Sequence, residues 1–206
     1  MNLKDFQNIL VISPHPDDSE YSCYGMIEAV EAFTTILICS DGGAGDPTNG
    51  IDRISEVIKF WQEKEKFEIK IQENLLQLEY HEAVKYFDGL ISENKYDAIF
   101  IPPEKDTNQE HRLISSITKS SLRNKGGAIF EYWTPSTTHE WQPNIWLDIE
   151  DFFEQKMEKL LSSFSSQKNK SYFQKSYIDL FHQDWQALKK GIRKCEKYRL
   201  VSWMCQ

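Results

Sequence analysis

Several things are missing from this 206-residue chain. No apolar run approaches the roughly 20 residues needed to cross a bilayer, and Met1-Asn2-Leu3-Lys4-Asp5-Phe6 lacks the apolar centre of a secretory leader. An integral membrane segment is therefore not expected, and the expected location is the cytoplasm. Clustered basic charge is also lacking: 24 Lys and Arg stand against 32 Asp and Glu, a net charge of −8, with the bases dispersed among the acids. Phosphate backbones need a concentrated positive surface, so a nucleic-acid partner is excluded. Cys23, Cys39, Cys195 and Cys205 form no CxxC pair and no zinc-finger spacing, and they read as free thiols. Internal repeats and linkers are absent too, which leaves one domain over residues 1–206 as the expectation.

What is present is an alternation of short apolar runs with helical periods. Residues 7–13, 34–39, 67–71, 98–101, 128–133 and 144–149 read as strands. Residues 21–33, 51–65, 80–93, a stretch ending near Arg123, and 151–163 read as helices, with 172–200 as one long helix or two. Such alternation predicts an α/β, Rossmann-like three-layer fold, with a mostly parallel sheet and helices on both faces. Ligands in such folds bind beyond the carboxyl ends of the strands. The six tryptophans and nine tyrosines suit either a thick core or a pocket that stacks against rings.

Two strand ends carry chemistry. The first strand stops at Pro14-His15-Pro16-Asp17-Asp18, where the prolines pin His15 and the spacing lets His15 and Asp18 converge on one cation, leaving Asp17 to move a proton. Asp17, Asp18 and Ser19 also stand where a helix begins, so capping of exposed amides is a second reading of the same acids. The fourth apolar strand stops at Pro102-Pro103 and leads through residues 104–110 to His111 at a helix start. With His111, the ligands number three, which suits a catalytic zinc that keeps one position open. The loop Ser40 to Pro47 is glycine-rich and suits a close backbone approach or a plain turn. Arg53 and Glu56 share a helix surface, and an ion pair between them is one expectation. His139 lies in the hydroxyl- and aromatic-rich loop 134–141, which could wall a pocket, whereas His81 and His182 fall within helices and read as surface or core-edge residues.

With the His15-Pro16-Asp17-Asp18 segment and the Asp106-to-His111 cluster, the chain resembles the PIG-L/LmbE-like family of zinc-dependent deacetylases of N-acetylglucosamine groups. Further matches come in order: Glu20 and Cys23-Tyr24-Gly25, Asp41-Gly42, Arg53 with Glu56, Pro143-Asn144 to Asp148, Lys156, and Ser166-Gln167. The resemblance implies His15, Asp18 and His111 as ligands of Zn2+, and Asp17 as general base. It further implies Arg53 and Asp41 at the substrate, where His139 is a candidate from its place in the 134–141 loop, and Asp106 and Glu20 behind the ligands. The expected reaction is hydrolysis of an acetyl group from an N-acetylated amino sugar or sugar conjugate, by a chain free to form a homo-oligomer. The sequence departs from the family at Asn108, where a histidine that helps stabilise the tetrahedral intermediate is usual. Asn108 can donate a hydrogen bond but not a proton. Tyr24 replaces a glycine and is expected to narrow the site. Two other readings stand beside this one: a metal-dependent sugar-binding relative with little or no turnover, and a nucleotide-sugar glycosyltransferase using Mg2+ on Asp17 and Asp18.

Overall fold

A computed structural model describes residues 3–43, 52–121 and 127–204. The chain runs β1 (Asn8–Ser13), α1 (Asp18–Ala29), β2 (Phe33–Ile38), α2 (Arg53–Trp61), β3 (Phe67–Ile71), α3 (Tyr80–Asn94), β4 (Ala98–Ile101), α4 (Gln109–Ser121), β5 (Gly127–Tyr132), β6 (Ile145–Asp148), α5 (Glu150–Ser163), α6 (Lys175–Phe181), α7 (Trp185–Leu188) and β7 (Cys195–Met204). One seven-stranded sheet has the order β3-β2-β1-β4-β5-β7-β6. Pairings from β3 through β5 are parallel, while β7 lies antiparallel to both β5 and β6. Strands covered on both faces need apolar residues at nearly every position, and β1 and β4 show this: Ile9 to Ile12 and Ala98 to Ile101 are all apolar and buried.

The two faces carry separate cores. Val11, Met26, Phe60, Phe130, Phe153 and Tyr198 belong to the core under α1, α2 and α5. Leu10, Ile12, Phe87, Ile101 and Ile114 belong to the one under α3 and α4. This is the three-layer α/β arrangement expected from the alternation. It also sets the site, because the chain winds outward from β1 through β2 to β3 and then returns to the other side of β1 as β4. Loops leaving the carboxyl ends of β1 and β4 must diverge, which opens a crevice between them.

Three sequence expectations are corrected. Residues 172–200 are not one or two long helices but a 3-10 turn, Ser171–Phe173, the short α6 and α7, and then β7. Glu196 and Lys197, charged residues within that stretch, are both buried in the strand. Glu196 is satisfied there by the amides of Gly25 (2.7 Å) and Met26 (2.8 Å), Lys156 Nζ (2.7 Å) and the Tyr198 hydroxyl (2.6 Å). Gly25 is required at this crossing, since a Cβ would stand 2.3 Å from Ile149 Cγ2. The first helix, α1, starts at Asp18 and ends at Ala29, leaving Phe33 to open β2. Arg53 and Glu56 form no ion pair with each other; each has a separate partner across the chain. Cys23, Cys39 and Cys195 are free and buried, while Cys205, Ile51, residues 44–47 and the expected helix end at Arg123 lie outside the described residues.

His182 is fully buried at the end of α6 and not at a core edge. Its Nδ1 lies 2.8 Å from the Ile178 carbonyl and its Nε2 3.3 Å from the Tyr21 carbonyl. Burial holds its pKa well below the usual 6.5, reinforced by the charges of Lys156 on α5 and Lys197 on β7. The folded protein thus keeps His182 neutral, whereas the unfolded chain takes up a proton below pH 6.5. Stability from this group is present above 6.5 and falls as the pH drops, by up to about 1.4 kcal/mol per unit. Urea unfolding at pH 7.0 and 5.5 should show a smaller loss for His182→Gln than for the natural chain. Equal losses in both would remove His182 as a source of acid sensitivity.

Candidate metal centre

The site is assembled where β1 and β4 end. Pro14 breaks β1 after Ser13, and the Ser13 hydroxyl donates to the His15 carbonyl at 2.8 Å, which fixes the turn. The His15 amide donates to Asp18 Oδ2 at 2.9 Å, so the acid folds back over the histidine that precedes it by three residues. On the other side of the crevice, Asn108 Oδ1 accepts from the Glu110 amide at 2.8 Å and starts α4. That start places His111, 3 % exposed, opposite His15.

His15 Nδ1, Asp18 Oδ2 and His111 Nε2 form a nearly equilateral triangle: 3.1 Å from His15 to Asp18, 3.2 Å from Asp18 to His111, and 3.2 Å between the two ring nitrogens. A tetrahedral ion with N and O ligands at about 2.0–2.1 Å has ligand-to-ligand edges of roughly 3.3–3.4 Å. The donor set therefore fits one divalent metal with only a small adjustment. Two imidazoles and one carboxylate are a borderline donor set, better suited to zinc than to magnesium. Each ring is also oriented from behind. Asp106 Oδ2 lies 3.0 Å from His111 Nδ1 and accepts from Thr134 Oγ1 at 2.7 Å. Glu110 meets His15 Nε2. A carboxylate behind a ligating imidazole fixes its tautomer and raises its basicity.

The charges are consistent with a cation site. Burial opposes a proton on His15, but hydrogen bonds and charge from Asp18 and Glu110 push it up to about 10. Burial likewise opposes protonation of His111, and Asp18 and Asp106 push it to about 9. Burial by itself would raise Asp18, but the two rings hold it well below the usual carboxylate range.

Asp17 is built differently. Its side chain caps no amide of α1, so the capping reading does not hold for it. Arg53 Nη2 donates to Asp17 Oδ2 at 2.9 Å and to the Pro16 carbonyl at 2.7 Å, while Nη1 donates to the Gly42 carbonyl at 3.0 Å. Among the described residues Asp17 Oδ1 accepts no hydrogen bond. Burial pushes the Asp17 carboxyl up to about 6, against the pull of Arg53. Its backbone has φ 136°, a conformation that costs a residue with a side chain on the order of 1–3 kcal/mol. The glycine at 42 is explained by the same guanidinium: with φ +73°, a Cβ there would lie 2.2 Å from Arg53 Nη1. The close approach anticipated for this loop is made by an arginine.

The triangle opens on a cavity of about 510 Å³ lined by His15, Asp17, Asp18, Ser40, Gly42, Arg53, Asn108, Gln109, Glu110, His111, Pro135, Ser136, Gln167, Lys170 and Tyr172. Asn108 thus faces the same space as the ligands, with its amide nitrogen donating to none of the described residues. Other expected residues fall elsewhere. Asp41 is exposed and accepts from the Gly43 amide, and His139 is exposed; neither lines the cavity. Glu20 is buried and accepts from Ser19 Oγ at 3.0 Å and Trp61 Nε1 at 2.5 Å, touching none of the three ligands. Tyr24 packs on Phe60 and Trp61 and does not narrow the cavity. Most large aromatic rings go to the cores, and Tyr172 is the aromatic residue of the cavity wall. Glu110 and the wall residues Gln167, Lys170 and Tyr172 received no role from the sequence. Glu110 had one available signal, its position directly before His111.

Residues 10–122 match the family described as PIG-L, GlcNAc-PI de-N-acetylase. No curated protein matches the chain. Among solved structures, the N,N'-diacetylchitobiose deacetylase of Pyrococcus horikoshii superposes with TM-score 0.76 at 19% identity, covering 97% of this chain and 85% of its own. The 4-carboxy-2-hydroxymuconate hydratase of Pseudomonas putida also gives TM-score 0.76, at 13% identity, over 97% and 98%. The zinc-inhibited form of a teicoplanin deacetylase gives 0.73 at 12% identity, over 96% and 99%. At these identities the likenesses establish the shared fold, on which more than one chemistry is found.

Proposed function

The chain belongs to the PIG-L family, GlcNAc-PI de-N-acetylase, and from that membership we propose that it is a zinc-dependent hydrolase that removes the acetyl group from an N-acetylated amino sugar or sugar conjugate. The observation that carries this reading is the triangle of His15, Asp18 and His111, open to a cavity into which Asp17 also faces. Zinc held by those three residues supplies Lewis-acid polarisation of a carbonyl and a water of lowered pKa. The chain's own residues do the rest. Asp17 Oδ1 takes the proton of the attacking water, while Arg53 keeps the carboxylate turned toward the cavity through Oδ2. The Asn108 amide donates a hydrogen bond to the developing oxyanion. Asp17 then returns its proton to the leaving nitrogen, since Asn108 has none to give. Water and amide become acetate and amine.

Incubation of the zinc-loaded protein with a panel of N-acetylated sugars and sugar conjugates should release acetate, with one product lighter by an acetyl group in mass spectrometry. Binding without any acetate release would favour the sugar-binding reading. Addition of water to an unsaturated acid without acetate would move the protein to hydratase chemistry, which the same fold supports in the Pseudomonas putida enzyme.

A further inference from the structure

Part of the cavity wall, Gln167, Lys170 and Tyr172, comes from a stretch with little regular structure. Between α5 and α6 the chain makes two 3-10 turns, Ser165–Gln167 and Ser171–Phe173. Turns of three residues have few hydrogen bonds of their own and need an anchor from elsewhere to hold a side chain in one place. That anchor is Glu56, 5 % exposed in the first turn of α2 and about 110 residues away in sequence. Its Oε1 accepts from Ser165 Oγ at 2.8 Å and from the Ser166 amide at 2.9 Å, and its Oε2 accepts from Ser166 Oγ at 2.6 Å. The Gln167 side-chain amide then donates to Ser166 Oγ at 3.0 Å, and the Tyr172 hydroxyl donates to Gln167 Oε1 at 3.1 Å. Gln167 and Tyr172 both line the cavity.

One helix thus supports two parts of the cavity lining. Arg53, the first residue of α2, holds Asp17, and Glu56, three residues later, holds the Gln167–Tyr172 wall. We propose that Glu56 is a positioning residue for substrate: through Ser165 and Ser166 it sets Gln167 and Tyr172 against the part of the substrate remote from the reacting carbonyl. It acts on binding, and Arg53 acts on the proton carrier. A buried carboxylate with three donors is a costly group to bury without them, and here all three come from the stretch that makes the wall. For its kinetic arm this inference rests on the deacetylase reading above; its spectroscopic arm does not.

The test uses the zinc-loaded full chain and four variants, Glu56→Gln, Glu56→Ala, Ser166→Ala and the Glu56→Ala/Ser166→Ala double. The first readout is the Gln167 side-chain amide resonance in ¹H-¹⁵N spectra. It should shift or broaden in Glu56→Ala and Ser166→Ala, with a smaller change in Glu56→Gln, which retains one acceptor. Resonances of the His15 and His111 rings should stay in place. The second readout is kinetics on N,N'-diacetylchitobiose. Glu56→Ala should raise KM by tenfold or more with kcat within about threefold, and the Glu56→Ala/Ser166→Ala double variant should be no worse than the poorer single one, as for residues acting through one another. A purely structural role would lower kcat and active fraction without this split. An unchanged Gln167 resonance overturns the proposal, as does a fall in kcat with KM unmoved. If the natural chain does not hydrolyse the sugar, the deacetylase reading loses that substrate class while the Gln167 resonance still decides the role of Glu56.

Discussion

Replacing His111 with Ala is expected to empty the metal site. The natural protein should hold close to one zinc per chain after dialysis, and the variant close to none, with acetate release falling to background. Two ligands from one loop, His15 and Asp18, would remain, and the closed side of the triangle would be lost. The replacement also leaves Asp106 Oδ2 without its ring partner, though Thr134 Oγ1 still donates to it. Because a metal that binds only the folded state stabilises it in proportion to its occupancy, added zinc should raise the melting temperature of the natural chain and not that of the variant. Elemental analysis gives the stoichiometry directly. Full zinc in His111→Ala would take this residue out of the ligand set and with it the open three-ligand site on which the proposed hydrolysis depends.

Asp17→Asn should separate the two adjacent acids. Asp17 contributes no atom to the triangle, so zinc should remain at about one per chain, while turnover falls by at least the ~10²-fold usual for a lost general base. Asparagine is the informative replacement for two reasons. It has the shape of aspartate, so the 136° backbone at this position is no more strained than in the natural chain. Its carbonyl oxygen can still accept from Arg53, so the guanidinium is not left without a partner. The measurement is kcat at matched zinc content. Loss of zinc in Asp17→Asn would make Asp17 a ligand and reverse the assignments of the two acids; retained turnover would place the proton carrier elsewhere, with Glu110, on the cavity wall, the next carboxylate to test.

What could be read in the sequence was what short-range patterns encode. The apolar runs ending at Pro14 and Pro102 marked two strand ends, and an alternating chain places such ends on one edge of a parallel sheet. That was sufficient to bring His15, Asp18 and His111 together as a candidate ligand set before any geometry was known, and the His15-Pro16-Asp17-Asp18 segment carried the family. Element boundaries came within a few residues where one period was sustained, as at β3, residues 67–71, and at α3, residues 80–94. The tertiary structure decided everything that depends on partners distant in sequence. Arg53 and Glu56, three apart, looked like a pair; in the fold one meets Asp17, 36 residues away, and the other Ser166, 110 residues away. Glu110 finds His15 across the crevice over 95 residues. The stretch 172–200 read as helix, but its last part is β7, where the amides of α1 and the ammonium of Lys156 supply the partners that let the carboxylate of Glu196 be buried. A local period reports which face of an element is apolar. It carries no information on which distant donor will satisfy a polar group once that face is packed, and the working parts of this site are of that second kind.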